Sequence, residues 1–269
     1  MLIGISLKQA LDLCPKSISL LIFLSGISWC LPVAVQSSPV SSYGLGIKPQ
    51  LSSQVVLRCG ASYLIAVDLL APDDGGKTLA SRPTFYWYIE RKPLFEKYPK
   101  KFIINFILRD GFERSAKSIF SVTSKPIQVN QKGILYKLTL PSNAPLIDID
   151  KIYAWQIRYM DVNDQGDSVS RINAITFIKR ESNQSVMDLI NKASTDLHKA
   201  RIYASNAYWY DALDAYSKWI DTNPRDQQAL NERMQMLDQI IDRQQKLKCA
   251  SKFNAIDSRL NMMQATPLK

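Results

Sequence analysis

The sequence predicts a mainly β protein: an antiparallel β-sandwich followed by a small C-terminal helical unit. Two observations carry this. Between residues 55 and 181, short apolar or alternating runs recur, each bounded by turn residues and with no helical segment between them. From 182 to 248 the apolar spacing changes to a helical period. The length of 269 residues suffices for one or two domains with a real core. A hydrophobic fraction of 46% and a charged fraction of 22% are those of an ordinary globular chain. The formal net charge of +10 favours polyanionic surroundings without naming one.

The N-terminus indicates the compartment. Lys8 and Lys16 precede the apolar run Ser17–Leu31, and Pro32, Val33, Ala34 and Val35 follow. A basic start, a short apolar stretch and small residues after it describe a secretory signal peptide over 1–35, cleaved near Ala34–Ser37. An uncleaved signal anchor is the alternative. Cys30 invites a lipoprotein reading, but Trp29 stands where that cleavage wants a small residue. The expected location is therefore exported, periplasmic or extracellular, with membrane contact only through an uncleaved leader. Removing the leader takes Cys14 and Cys30 and leaves Cys59 and Cys249, as one bridge or as two free or intermolecularly paired thiols. No Cys-x-x-Cys occurs, so a zinc or redox dithiol has no support.

Residues 36–54 are rich in Ser, Gly and Pro and read as a flexible linker. The expected strands then follow in order: 55–59, 62–71, 84–91, 102–110, 117–123, 133–140, 151–160 and 170–180. Phe85, Trp87 and Ile89 alternate with Tyr86, Tyr88 and Glu90, and Tyr153, Trp155, Ile157 and Tyr159 with Ala154, Gln156 and Arg158. The stretch LIDIDKIYAWQIRY (146–159) sets a Leu and an Asp-containing turn just before Tyr153 and Trp155. It resembles the corner in immunoglobulin-like domains where a tyrosine hydroxyl ties a turn to the sheet, which makes the expected topology Ig-like.

In the helical unit, Val186, Leu189, Ile190, Ala193, Leu197 and Ala200 form one stripe, opened by Ser185 and Asp188 as a capping box. A second helix carries Trp209, Ala212, Leu213, Tyr216, Trp219 and Ile220. Asn223 is the expected cap of a third, with Pro224 in its first turn and Asp226 at its positive end. Residues 249–269 read as a polar, frayed tail.

Two resemblances add to this. Ala200, Tyr203, Ala212, Tyr216 and Pro224 match one tetratricopeptide-like helical hairpin, with Ala207 where that repeat usually has Gly. A single copy cannot build a solenoid, so its apolar stripe is expected to pack on the sandwich or on a partner. The mature chain also resembles a cyanobacterial family known as domain of unknown function 928. The residues that carry this are Arg58-Cys59, PTFYWYI (83–89), LPSNAPLIDIDKIYAWQIRY (140–159) and YWYDALDAY (208–216). The resemblance implies an exported β-rich domain with a short helical end and no known activity. That family often has a Cys after the strand holding Trp155, plausibly paired with the early Cys. Met160 stands there in this chain, which leaves Cys59 without that partner.

Catalytic patterns are weak. APDDGGKT (71–78) ends like a phosphate-binding loop but has Ala71 in place of the first Gly and runs toward a strand, so it reads as a turn. DVNDQGD (161–167) has the early spacing of a calcium loop, with Ile172 where the closing Glu belongs. It reads as a polar turn between strands, with weak calcium binding by Asp161, Asp164 and Asp167 as the alternative. His198 is the only histidine and lies far in sequence from any plausible nucleophile. No catalytic, cofactor or metal residue is therefore assigned and no cofactor is expected.

The candidate contact residues are Tyr86 and Tyr88, as exposed strand aromatics, with Arg91, Lys92, Lys97, Lys100 and Lys101 from the basic loop ERKPLFEKYPKKF (90–102). The expected function is a non-enzymatic exported protein that binds an envelope protein. A carbohydrate- or polyanion-binding module is the first alternative and a hydrolase with a fold-assembled site the second. Nucleic acid is not an expected partner.

Overall fold

A computed structural model describes residues 43–47, 65–91, 101–113, 115–127, 133–162, 168–245 and 265–268. The chain divides into Met1–Gln36 and Ser37–Lys269, and every described residue lies in the second unit. The leader, the expected strand at 55–59, Cys59, Cys249, Lys92, Lys97, Lys100 and the turn at 163–167 fall outside the described residues.

The described residues form nine strands: β1 Ile65–Leu69, β2 Gly76–Thr78, β3 Thr84–Arg91, β4 Lys101–Arg109, β5 Ser118–Thr123, β6 Ile134–Thr139, β7 Ile152–Val162, β8 Ser168–Arg180 and β9 Thr266–Pro267. Four helices precede β9: α1 Gln184–Lys192, α2 Asp196–Ser205, α3 Trp209–Thr222 and α4 Gln227–Gln245. Two sheets result, in the orders β1-β3-β6-β9 and β2-β8-β7-β4-β5. Both are mixed rather than wholly antiparallel, because β2 pairs parallel to β8 and β9 parallel to β6. These two strands are three and two residues long. Elements that short show no alternation, and β9 lies in the segment expected to fray. There Leu268 N–H donates to Lys137 O at 3.0 Å, and Ala265 and Leu268 pack on the core.

The inner faces meet through aromatics. The Phe85 ring lies 5.0 Å from Phe106 and 5.1 Å from Trp155, with Trp87 6.3 Å from Phe106. Alternation dictates this, since every second residue of β3, β4 and β7 points to the same side. Tyr153 makes the expected corner: its hydroxyl donates to Asp148 Oδ2 at 2.9 Å and accepts from Asp148 N at 3.2 Å.

The N-terminal end of α3 plugs into the two-sheet body. Trp209 Nε1 donates to Leu70 O at 2.9 Å, and Tyr210 reaches the inter-sheet core within 5.8 Å of the Phe85 ring. The Tyr210 hydroxyl donates to Phe177 O and accepts from Trp155 Nε1, at 2.8 and 2.7 Å. Asp211, also buried, accepts from Leu79 N at 3.0 Å and Ala80 N at 3.3 Å. This explains the two glycines of the GGKT turn. Gly75 has φ +88 and would drive a Cβ to 2.8 Å from Phe177 Cβ. A Cβ on Gly76 would stand 3.1 Å from both Trp209 and Tyr210. The motif is a docking seat for a helix, not a phosphate loop.

The structure adds to or corrects the expectations at the linker, the first helical stripe and the caps. Residues 43–47 of the expected linker pack on the body: Tyr43 is buried against Trp209, ring centroids 5.0 Å apart, and Gly44 bridges Gly76. The first helical stripe is two helices, because Thr195 Oγ caps His198 N at 3.1 Å and outcompetes continuation past Ala193. That leaves Leu189 49% exposed rather than on a buried stripe. The caps also shift: Asn183, not Ser185, accepts from Val186 N, and Asp226, not Asn223, accepts from Ala229 N at 3.1 Å.

Candidate interaction surface

Tyr86 and Tyr88 are buried, at 2% and 0% exposure, which corrects the expectation of an exposed tyrosine platform. Alternation does put both on the outer face of β3, but α3 lies over Tyr86. Its hydroxyl donates to Asp214 Oδ1 at 2.9 Å, and Asp214 in turn pairs with Lys218 at 2.7 Å. Burial, reinforced by the Asp214 carboxylate, pushes the Tyr86 phenol well above its usual range. Arg233 of α4 donates through NH1 to Ser217 Oγ of α3 at 3.3 Å, and burial holds its pKa below the usual value. Lys137, opposite Tyr86 on β6, pairs with Asp221 of α3 at 3.6 Å. The hydroxyl of Tyr88 faces Gly133, where an added Cβ would come within 2.0 Å of it. Of the basic candidates, Arg91 pairs by its backbone with Ile65, and Lys101 is exposed at the start of β4.

Exposed apolar side chains occur elsewhere. Among the described residues, the large ones are Phe112, Leu146, Ile149, Met187 and Leu189, at 47, 49, 48, 38 and 49%. The segments carrying Phe112, Leu146 and Ile149 approach one another at one end of the sheets. Gly111 O accepts from Ala154 N at 3.0 Å, bringing the β4–β5 turn to the start of β7. Asp150 N donates to Arg180 O at 2.7 Å, bringing the 140–151 segment to the end of β8, from which α1 follows.

The backbone that presents Leu146 and Ile149 is braced on several sides. Arg82 donates to the carbonyls of Pro141, Ser142 and Ala144, the last two at 2.9 and 3.1 Å. Arg180 donates to Ile147 O at 3.1 Å and to Leu79 O at 3.3 Å. Ile147 N donates to Ser81 O at 3.1 Å, and Tyr153 holds Asp148. Ion pairs ring the site: Lys151 with Asp110 at 2.5 Å, and Lys179 with Asp150 and Glu181 at 3.2 and 3.4 Å. Sequence reasoning missed Leu146, Ile149, Arg82 and Arg180. The available signal is Leu-Ile-Asp-Ile-Asp (146–150), in which apolar residues stand among acids between two strands. Among the described residues no group of three or more His, Cys, Asp or Glu side chains could hold a metal ion.

A family model described as a Domain of Unknown Function (DUF928) matches residues 57–246. The chain belongs to this family. The match spans the described strands β1–β8 and all four described helices, so helices and sheets are parts of one family unit. No curated protein matches the chain. Among solved structures, a domain of the outer membrane lipoprotein Omp28 from Porphyromonas gingivalis is similar over 44% of this chain and 96% of its own, at 18% identity and a TM-score of 0.25. The PmoD soluble domain from Methylocystis sp. is similar over 42% of this chain and 90% of its own, at 11% identity and a TM-score of 0.24. Likenesses at these scores carry no argument about fold or function. No described helix is long and apolar enough to cross a membrane.

Proposed function

We propose that this chain is an exported, non-enzymatic interaction protein of the cell envelope, and that it binds a protein partner through the braced end carrying Phe112, Leu146 and Ile149. The observation that carries the proposal is the pairing of exposure with rigidity. Two nearly half-exposed apolar side chains stand on a backbone whose carbonyls are fixed by Arg82 and Arg180. A surface held in place before binding loses little conformational entropy when it docks. An apolar centre within a charged rim is also the usual anatomy of a protein interface.

Export is supported by the leader pattern and by the exported character that the family resemblance implies. The corner at Tyr153 supports an Ig-like sandwich for the two sheets. The α2–α3 pair, with Ala200 and Ala212 fully buried, is a single tetratricopeptide-like hairpin used as a buttress. The test is crosslinking and pull-down from envelope extract with the tagged full chain. One partner should be enriched by the natural chain and lost with the double variant Leu146→Ser/Ile149→Ser at unchanged thermal stability. Capture of nothing above background, or equal capture by the variant, would overturn the proposal.

A further inference from the structure

The four-stranded sheet ends on a minimal edge strand. β6 is fixed on one side, where all six of its residues, Ile134–Thr139, pair antiparallel with β3. Its side chains hold it further. Tyr136 is buried and stacks on Trp87 with ring centroids 5.7 Å apart, and Lys137 reaches Asp221 of α3. Thr139 shares a hydroxyl hydrogen bond with Thr84 at 2.9 Å. On its other side β6 meets β9, which pairs at two positions, Tyr136 with Thr266 and Lys137 with Pro267. Among the described residues Ile134, Leu135, Leu138 and Thr139 have no strand on that side.

The occupant shows what the edge accepts. It runs parallel to β6, with Leu268 N–H donating to Lys137 O at 3.0 Å. Ala265 and Leu268 pack on the core, while Thr266 and Pro267 are exposed. The edge thus takes a small residue and an aliphatic one three places later, on an extended backbone. Pro267 brings no N–H to the new outer edge, so the sheet stops there. Two paired residues and two partly buried side chains are a small hold on a segment that costs entropy to order. Structure held so lightly opens far more readily than a packed body. When β9 leaves, β6 keeps its pairing with β3 and its contacts with Trp87 and Asp221, and presents a formed edge to another strand.

We propose that the β6 edge is a strand-addition site for an extended segment of a partner protein, and that residues 265–268 are its intramolecular competitor. The partner segment shares the chemistry of the segment seated here: a small residue, then a Leu-like aliphatic three places on, parallel to β6. It displaces β9 by pairing also with the β6 residues that the two-residue strand leaves open. A competitor on the same chain acts at an effective concentration on the order of 1 mM, so it turns away weak partners and yields to stronger ones. The site uses none of Phe112, Leu146 and Ile149 and does not rest on the apolar end.

The experiment is fluorescence anisotropy of a labelled peptide with the sequence of residues 261–269, titrated with the full chain and with its full-length variant Leu268→Asp. A carboxylate cannot replace Leu268 against the core, so the variant frees the edge. The peptide should bind the variant about tenfold more tightly than the natural chain, as when the intramolecular segment fills about nine-tenths of the edges. Leu268→Ala should fall between. A peptide carrying Asp in place of its Leu should bind neither chain. A photo-crosslinker at the Thr266 position of the peptide should label the β6 fragment that contains Tyr136. Melting temperatures are read alongside, and Leu268→Ala retains the test if Leu268→Asp does not fold. Absence of binding to the variant, equal binding to variant and natural chain, or crosslinks away from β6 would overturn the proposal. These variants leave the apolar end untouched, so either proposal can fail without the other.

Discussion

The outer faces of the two sheets began with the same alternation and ended as opposites. On β3 the outward residues are Tyr86 and Tyr88, and both are sealed beneath other elements. On β4 and β7 the outward residues include Asn105, Arg109 and Arg158, and no described helix packs over their row. The difference is made by α3, which docks through Trp209 and Tyr210 and brings Asp214 and Asp221 down onto Tyr86 and Lys137. Alternation therefore says which side chains share a face, and only the third layer says whether that face meets solvent. Aromatic residues on an outer face are better evidence for a cover than for a ligand platform.

The comparison breaks most severely at Tyr210. Tyr210→Ala removes a ring from the inter-sheet core and strips partners from Trp155 Nε1 and Phe177 O. It should cost about 4 kcal/mol by urea denaturation, and a cost below about 1 kcal/mol would mean that helices and sheets are not one folding unit.

Asp211→Ala should cost about 2 kcal/mol, because the N–H groups of Leu79 and Ala80 lose their acceptor. Asp211 also has a pH signature. Burial is the largest influence on its carboxyl and raises it from 3.8 to about 6. The folded state then holds a proton that the unfolded state releases between these values, so this residue's contribution to stability falls as pH rises from about 4 to about 6. Urea midpoints across that window should show the decline in the natural chain and lack it in Asp211→Asn.

Smaller changes sharpen the contrast. Ala207 is held at φ +62 in the turn between α2 and α3. Ala207→Gly should therefore stabilise by roughly 0.5 kcal/mol, read as a rise in melting temperature. On the uncovered face, Arg158→Ala should change stability by less than about 0.5 kcal/mol. A loss of several kcal/mol there would show that Arg158 belongs to a packed layer like that of Tyr86.

Much of the fold was legible because it rests on periodicity. The seven longer strands described here, the switch to helices near 184 and the Tyr153 corner all follow from spacing and turn residues. What was missed has a physical cause in each case. β2 and β9 are too short to alternate, and the break at Thr195 required a cap to win over a stripe. The candidate site was hardly legible at all. Tyr86 was assigned to the right face but without the helix that covers it. Leu146 and Ile149 depend on Arg82 and Arg180, distant in sequence, whose contacts with the segment's carbonyls no local pattern encodes.

The most direct measurement is hydroxyl-radical footprinting of the full chain, read by mass spectrometry before and after addition of envelope extract. In the free chain Phe112, Leu146 and Ile149 should oxidise readily while Tyr86, Tyr88 and Trp209 stay protected. On adding extract, new protection should appear at Phe112, Leu146 and Ile149 alone among these six. Ready oxidation of Tyr86 and Tyr88 in the free chain, or protection that leaves Leu146 and Ile149 unchanged, would contradict the account.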